Sequence, residues 1–324
     1  MMKILVNDGI HPKGEQLLQE AGFEVDMNSI PQEELKNKLN EYDAILVRSA
    51  TKVRADLIDA CPNLKLIGRG GVGLDNIDVQ YAKDKGIEVI NTPAASSNSV
   101  AELVFGHLLA TNRFLAKTNR EMGNTGFDRF KALKKESSKG MELYGKTLGI
   151  IGFGRIGREV ARIAIGMGMH VIAHDPYINQ DSVPVNVVFH PAMNLGKISV
   201  DVQMVSKEDL LNQSDFVTLH MPGGGEYVLS TSEFNQMKNG SVLINCARGG
   251  VVDEKAMVEA LDSGKLSAAG LDVFEVEPPV DTSFFNRDNV SLSPHIGAAT
   301  SEAQARIGEE LANKIIHHFR TEVA

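Results

Sequence analysis

Arg248, Glu277 and His295 lie just beyond three apolar runs that read as strands: Ser241–Ala247, Leu266–Leu271 and Val290–Ser293. A guanidinium, a carboxylate and an imidazole brought to three strand ends make a set suited to interconverting a 2-oxo and a 2-hydroxy acid. The planar fork of Arg248 matches a substrate carboxylate and polarises the neighbouring oxo oxygen. Imidazole as a group titrates near neutrality, which suits His295 to carry the hydroxyl proton, and a bonded carboxylate such as Glu277 favours an imidazolium. Singly, each of the three is as well read as a surface ion pair, a loop charge or a structural histidine, so the argument rests on the set. His220, which ends the run Phe216–Leu219, is a rival by position. It has no carboxylate near it in sequence and reads as a cofactor-loop residue. His317 and His318 read as surface or packing residues of a terminal helix.

A second constellation is more specific. In "TLGIIGFGRIGREVARIAIGMGMHVIAHDP", Gly152, Gly154 and Gly157 stand in the G-x-G-x-x-G pattern between a strand and a helix, and the next strand ends in Asp175. The first glycine permits a tight turn, the second lets backbone approach a pyrophosphate, and the third allows close helix–strand contact. Asp175 lies where a carboxylate accepts the adenosine ribose hydroxyls, and Pro176-Tyr177 offers no arginine for a 2′-phosphate, which favours NAD over NADP. The nicotinamide then carries the hydride, and Asp272, at the end of Leu266–Leu271, is placed to accept from its carboxamide.

These groups need elements to hold them. Runs Lys3–Val6, Ala44–Val47, Leu64–Ile67 and Ile87–Ile90 alternate with helical patterns at Pro12–Glu20 and Pro31–Asn40, which predicts a parallel sheet covered by helices. Ser99 with Glu102 forms a capping box that opens a long helix. Thr147–Ile151 begins a second alternating series that continues to Val290–Leu292. In Ser301–Phe319, Ala303, Ile307, Leu311 and Ile315 mark one apolar helical face, expected to pack back on the first domain. Asp181–Val205 fits no clear pattern and reads as a surface excursion.

With 324 residues, the chain exceeds what one core usually serves. Its net charge of −9 argues against non-specific nucleic-acid binding, and no 18-residue uncharged apolar stretch offers a membrane span. An anionic substrate therefore needs local arginines and lysines. The first ten residues lack a secretory apolar region, so a cytoplasmic protein is the default expectation. Cys61 and Cys246 lack metal-ligand spacing, which points to neither zinc nor a disulfide framework.

The segments "VRSATKV", "GRGGVGLDNID", "NTPAASSNSVAEL", "GKTLGIIGFGRIGREVA", "INCARGGVVDE", "LDVFEVEPP" and "PHIGAATSEAQ" resemble, in this order and across nearly the whole chain, the NAD-dependent D-2-hydroxyacid dehydrogenases. Within that family the similarity is greatest to members that act on 3-phosphoglycerate. The resemblance implies a two-domain α/β fold with doubly wound parallel sheets, in which a Rossmann cofactor domain (98–292) is inserted into a flavodoxin-like substrate domain (1–97 and 293–324). It implies a catalytic trio on Arg248, Glu277 and His295. Cofactor contacts are implied at Val72, Arg155, Ile156, Asp175, His220, Met221, Cys246, Ala247, Asp272 and Gly297, beside the glycine loop. Substrate contacts are implied at Arg48, Ser49, Arg69, Gly70 and Gly71, with Arg129 or Lys139 joining from a partner subunit.

The implied reaction converts 3-phospho-D-glycerate to 3-phosphohydroxypyruvate at the start of serine synthesis, in a homodimer joined through the cofactor domains. The alternatives are glycerate/hydroxypyruvate or another D-2-hydroxyacid, and, further off, an NAD-sensing corepressor. Serine inhibition through a C-terminal regulatory domain is not expected. "HMPGGGEYVL" departs from the usual His-x-Pro-Leu, and its three glycines predict a mobile loop.

Overall fold

The computed structural model describes residues 2–125, 127–190 and 193–321, apart from the side chains of 186–190, 193–195, 197 and 321. The chain divides into two compact units, residues 1–99 with 298–324, and residues 100–297. Unit 2 is thus one continuous segment interrupting unit 1. Its two ends meet: a methyl group placed on Gly297 would come within 3.2 Å of Val100 Cγ2.

Unit 1 holds five parallel strands, β1 (Lys3–Val6), β2 (Glu24–Asp26), β3 (Ala44–Val47), β4 (Leu66–Arg69) and β5 (Glu88–Asn91), in the order β2-β1-β3-β4-β5. Alternate residues feed opposite faces. Leu5, Ile45 and Ile67 join one apolar cluster, while Ile4, Val6, Ala44, Leu46 and Leu66 join the other. The helix Ser301–Thr321 closes the second face with Leu311, Ala312, Ile315 and Phe319. All four residues of its expected stripe, Ala303, Ile307, Leu311 and Ile315, are buried. The pattern at Pro31–Asn40 is not one helix: turns precede a short helix at Leu35–Lys38, and a 3₁₀ turn follows at Leu39–Glu41.

Unit 2 carries β6 (Thr147–Ile151), β7 (His170–His174), β8 (Asp181–His190), β9 (Met193–Met204), β10 (Phe216–Leu219), β11 (Ser241–Asn245), β12 (Leu266–Leu271) and β13 (Val290–Leu292). Their order is β13-β12-β11-β10-β6-β7-β9-β8, parallel throughout except for the antiparallel pair β8 and β9. Strands β10 and β11 are buried along their whole length, as expected for strands covered on both faces. The segment expected as a surface excursion is therefore a two-stranded ribbon, tied to the sheet edge where β9 pairs with β7 at Ile172–Gln203 and Ala173–Met204.

The long helix spans Ser97–Asn112, so Ser99 lies inside its first turn and is not the cap that the Ser99–Glu102 spacing suggested. Among the described residues, no helix is long and apolar enough to cross a membrane.

Candidate active site

The parallel part of each strand order reverses direction once, and ligands of doubly wound sheets meet the carboxyl ends of strands at such a reversal. In unit 2 it falls between β6 and β10, and in unit 1 between β1 and β3.

Strands β11, β12 and β13 are neighbours in unit 2, and Asn245, Leu271 and Leu292 are register partners across them. Adjacent strands lie about 4.8 Å apart, so the residues just beyond these three emerge side by side. Arg248 follows β11 on a turn folded by Asn245, whose Nδ2 donates to Arg248 O at 3.0 Å and whose Oδ1 accepts from Ala247 N–H at 3.1 Å. Arg248 Nη1 donates to Ala247 O at 2.6 Å. The turn lies flush against the segment after β12: a Cβ on Gly249 would sit 1.7 Å from Phe274 O.

Glu277 and His295 meet directly. His295 Nδ1 is 2.8 Å from Glu277 Oε2, and Glu277 Oε1 accepts from Phe274 N–H at 3.3 Å. With Nδ1 engaged by the carboxylate, Nε2 is the nitrogen left to exchange a proton. A cavity of about 430 Å³ borders the pair, walled by Phe274, Pro278, Leu292 and Pro294.

His295 has φ +54°, a left-handed conformation that costs a non-glycine residue roughly 1–2 kcal/mol. Asp272 holds it there. Its buried carboxylate accepts from Ser293 Oγ–H at 2.5 Å, Ile296 N–H at 2.8 Å and Gly297 N–H at 2.8 Å, and its carbonyl accepts from His295 N–H. Position alone pointed to a carboxamide acceptor here; the bonds make Asp272 the anchor of the histidine loop.

The glycine loop has the geometry its spacing predicts. Gly152 has φ +90°, and a Cβ there would meet His220 O at 2.3 Å; a Cβ on Gly157 would meet Gly152 O at 2.3 Å. Gly154 faces open space and precedes the helix Arg155–Gly166 with no side-chain cap, so the first N–H groups of that helix remain available to an anion. Arg155 is exposed and Ile156 partly so. Asp175 steadies the loop by accepting from Phe153 N–H at 2.9 Å and from Tyr177 N–H at 2.9 Å.

Beyond β10, His220 bonds Thr218 Oγ1 through Nε2 at 2.9 Å, with Met221 next in sequence. The residue as a whole keeps some exposed surface, yet its Nδ1 is buried and has no partner among the described residues. Burial pushes the imidazole down to about 3, so it is neutral. Cys246 and Ala247 are buried at the end of β11, and burial pushes the Cys246 thiol up, out of nucleophilic range at neutral pH.

In unit 1, Asp8 follows β1 and organises the loop after β3. It accepts from Arg48 N–H at 2.6 Å, Thr51 N–H at 3.0 Å and Thr51 Oγ1–H at 2.5 Å. Asn76 Nδ2 adds bonds to Arg48 O and Thr51 O. Ser49 is exposed on that loop. Arg69 ends β4 in register with Val47, and its guanidinium lies over Gly71, where a Cβ would clash with Nη1. Gly70 approaches the Arg48 side chain, and Val72 O accepts from Asn91 Nδ2 at 2.7 Å. Arg129 is otherwise engaged: it pairs with Glu121 and with Glu136, the latter at 2.8 Å, so its charge is met within its own unit. Lys139 is exposed.

A model of the D-isomer specific 2-hydroxyacid dehydrogenases, NAD binding domain, matches residues 105–297. The chain belongs to this family. It is 44% identical over 319 residues to the hydroxypyruvate reductase of Thermotoga maritima, covering 97% of each chain. It is 42% identical over 327 residues to the D-3-phosphoglycerate dehydrogenase of Methanocaldococcus jannaschii, covering 100% of this chain but 59% of that one. Among solved structures, an NADPH-dependent glyoxylate/hydroxypyruvate reductase from Sinorhizobium meliloti superposes with a TM-score of 0.81 at 27% identity, over 98% of this chain and 95% of that one.

As the NAD-binding domain of this dehydrogenase family, unit 2 offers a cradle that fits the cofactor: a glycine loop with no Cβ in the way, a helix start without a cap, and the orphaned Nδ1 of His220. Asp175 makes the choice of dinucleotide testable, because its carboxylate repels a 2′-phosphate. NADH is expected to bind at least about tenfold tighter than NADPH, with Asp175→Ala narrowing the gap. Fluorescence titration with both cofactors measures it; tighter binding of NADPH to the native protein contradicts the assignment.

Proposed function

We propose that the chain interconverts a D-2-hydroxy acid and its 2-oxo acid, with His295 as the acid–base group, Glu277 as its carboxylate partner and Arg248 as the cation that grips the substrate carboxylate. One observation carries this reading: the 2.8 Å bond between His295 Nδ1 and Glu277 Oε2, which leaves Nε2 for the substrate oxygen. NAD, when bound, supplies hydride transfer at its nicotinamide. The residues expected to hold it are Gly152, Gly154, Arg155, Ile156, Gly157, Asp175, His220, Met221, Cys246, Ala247, Asp272, Gly297 and Val72. In the reducing direction, Arg248 draws charge onto the oxo oxygen and His295 Nε2–H protonates it. Glu277 meets the ring's positive charge before that transfer and keeps Nδ1 from turning toward the substrate. In the oxidising direction, His295 takes the proton back.

The acid favoured here is 3-phospho-D-glycerate, oxidised to 3-phosphohydroxypyruvate in serine synthesis. Arg48 and Arg69, at adjacent strand ends of unit 1 beside Ser49, Gly70 and Gly71, provide two cations for a substrate with a carboxylate and a phosphate. A second reading, glycerate and hydroxypyruvate, is favoured by the full-length similarity to a hydroxypyruvate reductase. NADH oxidation assayed with both oxo acids distinguishes them. The expected result is a kcat/KM for 3-phosphohydroxypyruvate at least about tenfold above that for hydroxypyruvate, with Arg48→Ala and Arg69→Ala raising KM mainly for the phosphorylated acid. Equal kcat/KM values would remove the phosphate from the proposal. A homodimer is part of this reading: Leu115, Phe127, Phe130 and Tyr144 of unit 2 are exposed apolar side chains that a second copy would cover, and sedimentation reports whether it does.

A further inference from the structure

The helix Ser97–Asn112 carries a histidine that the proposed chemistry does not use. His107 is 3% exposed, and both its ring nitrogens are engaged: Nδ1 lies 2.8 Å from Ser291 Oγ and Nε2 lies 2.9 Å from Ser293 Oγ. Ser293 Oγ is in turn 2.5 Å from Asp272 Oδ1, the carboxylate that anchors the loop of His295. The helix is pressed close here because β12 presents Gly270, where a Cβ would come 2.7 Å from His107 Cβ.

The direction of each bond in this chain follows from the donors available. Asp272 accepts backbone N–H bonds on both oxygens, as an ionised carboxylate does, so Ser293 must donate to it. The oxygen of Ser293 then accepts, and His107 Nε2 must carry a proton. Burial pushes the His107 imidazole below its usual value, outweighing the opposing pull of Asp272, so the ring is neutral and Nδ1 accepts from Ser291 Oγ–H. The order is therefore Ser291 to His107 to Ser293 to Asp272, with each hydroxyl proton committed to one acceptor. With the other tautomer, Ser293 would give its proton to His107, and Asp272 would lose one of the three donors to its carboxylate.

We propose that His107 is a positioning residue for His295: by committing the Ser293 hydroxyl to Asp272, it holds the 293–297 loop, and with it the left-handed backbone of His295 that aims the imidazole. This rests on the reading of His295 as the acid–base group. His107 touches neither substrate nor cofactor in this account. Its effect falls mainly on kcat, because a loosened loop leaves the carboxylate grip of Arg248 and the glycine loop at Gly152–Gly157 in place while the proton donor wanders, and only the Asp272–Gly297 edge of the cofactor cradle shares the disturbance.

The test uses the full chain, with kcat and KM from NADH oxidation with whichever of hydroxypyruvate and 3-phosphohydroxypyruvate is turned over faster, NADH affinity from fluorescence, and Tm. His107→Leu and Ser293→Ala are each expected to lower kcat about tenfold, with KM within about twofold and NADH affinity falling by less than kcat does. His107→Gln, whose amide can donate to Ser293, is expected to return kcat to within about threefold of the native value. Native kcat in a folded His107→Leu or Ser293→Ala protein overturns the proposal, and so does a His107→Gln protein with native Tm that is as slow as Ser293→Ala. If His107→Leu does not fold, Ser293→Ala and His107→Gln decide. His295→Asn is run alongside. Native kcat in that variant sinks the acid–base reading itself, whereas a slow His295→Asn with fast His107→Leu and Ser293→Ala sinks only the positioning role.

Discussion

His295→Asn is expected to lower kcat by roughly 10²–10⁴-fold while NADH affinity stays at its native value. Asparagine suits this test better than alanine for two reasons. It tolerates the left-handed backbone that His295 adopts at φ +54°, and its amide can still donate to Glu277, so loop and fold are preserved. What disappears is the ring nitrogen proposed to hand the proton to and from the substrate oxygen. The loss therefore falls on the step in which the substrate oxygen changes protonation, and KM should move little if Arg248 provides the grip. Steady-state NADH oxidation by the purified variant measures it. A kcat within about threefold of native would mean that another group moves the proton, with His220 the first alternative by position; its burial and neutral state argue against it.

Gly249→Ala is the second large effect, and it acts through backbone alone. The added Cβ would meet Phe274 O at 1.7 Å and Phe274 C at 2.5 Å, neither of which a rotamer change can relieve. Either the turn that carries Arg248 or the segment that carries Glu277 must move by an ångström or more. Overpacking of this kind costs typically ~1–3 kcal/mol of stability, and a shift of that size at reacting groups costs about 10²-fold in rate. The expected variant melts several degrees lower, binds NADH, and turns over about a hundredfold more slowly. Gly166→Ala is the control: nothing lies within 4 Å of its Cβ, and it ends a helix, so native activity is expected. Native kcat in Gly249→Ala would show that this close approach does not govern the relation of Arg248 to Glu277.

Much of the fold was legible because its strands are apolar runs bounded by polar residues at strand ends. β1, β3, β6, β10, β12 and β13 lie where the runs predict them. β4 and β5 are displaced by two and one residues, to Leu66–Arg69 and Glu88–Asn91, because polar side chains at the carboxyl end of a strand still pair through their backbone. β2 escaped notice: Glu24-Val25-Asp26 is a three-residue edge strand, exposed on one side and with one apolar residue to signal it. The ribbon β8–β9 escaped for a related reason, since most of it pairs with itself and only its last residues join the sheet. At the helix Ser97–Asn112, the Ser99–Glu102 spacing placed the start two residues late, since a serine in the first turn followed by a glutamate has the same local pattern as a cap.

The site divides in the same way. Arg248, Glu277 and His295 stand out in sequence because charged or titratable residues directly after buried strands need a reason. The groups that hold them do not stand out. Asp272 reaches residues 21 to 25 positions away, and His107 reaches Ser293 across 186 positions. Such contacts depend on which strands become neighbours, and no local spacing encodes that. Asp8 is a milder case: Asn7-Asp8-Gly9 after β1 is an ordinary turn signal, and its hold on Arg48 and Thr51 exists only because β3 lies beside β1.

The meeting of Val100 with Gly297 has a consequence for how such a molecule is assembled. A segment whose first and last residues touch is a portable cassette: its host can gain or lose it without re-threading, since the gap left behind is closed by a short bridge. What remains, 1–99 with 298–324, is a doubly wound sheet with both faces already covered. Excising the cassette would therefore leave the apolar clusters of the host as they are, each made by residues of the host alone.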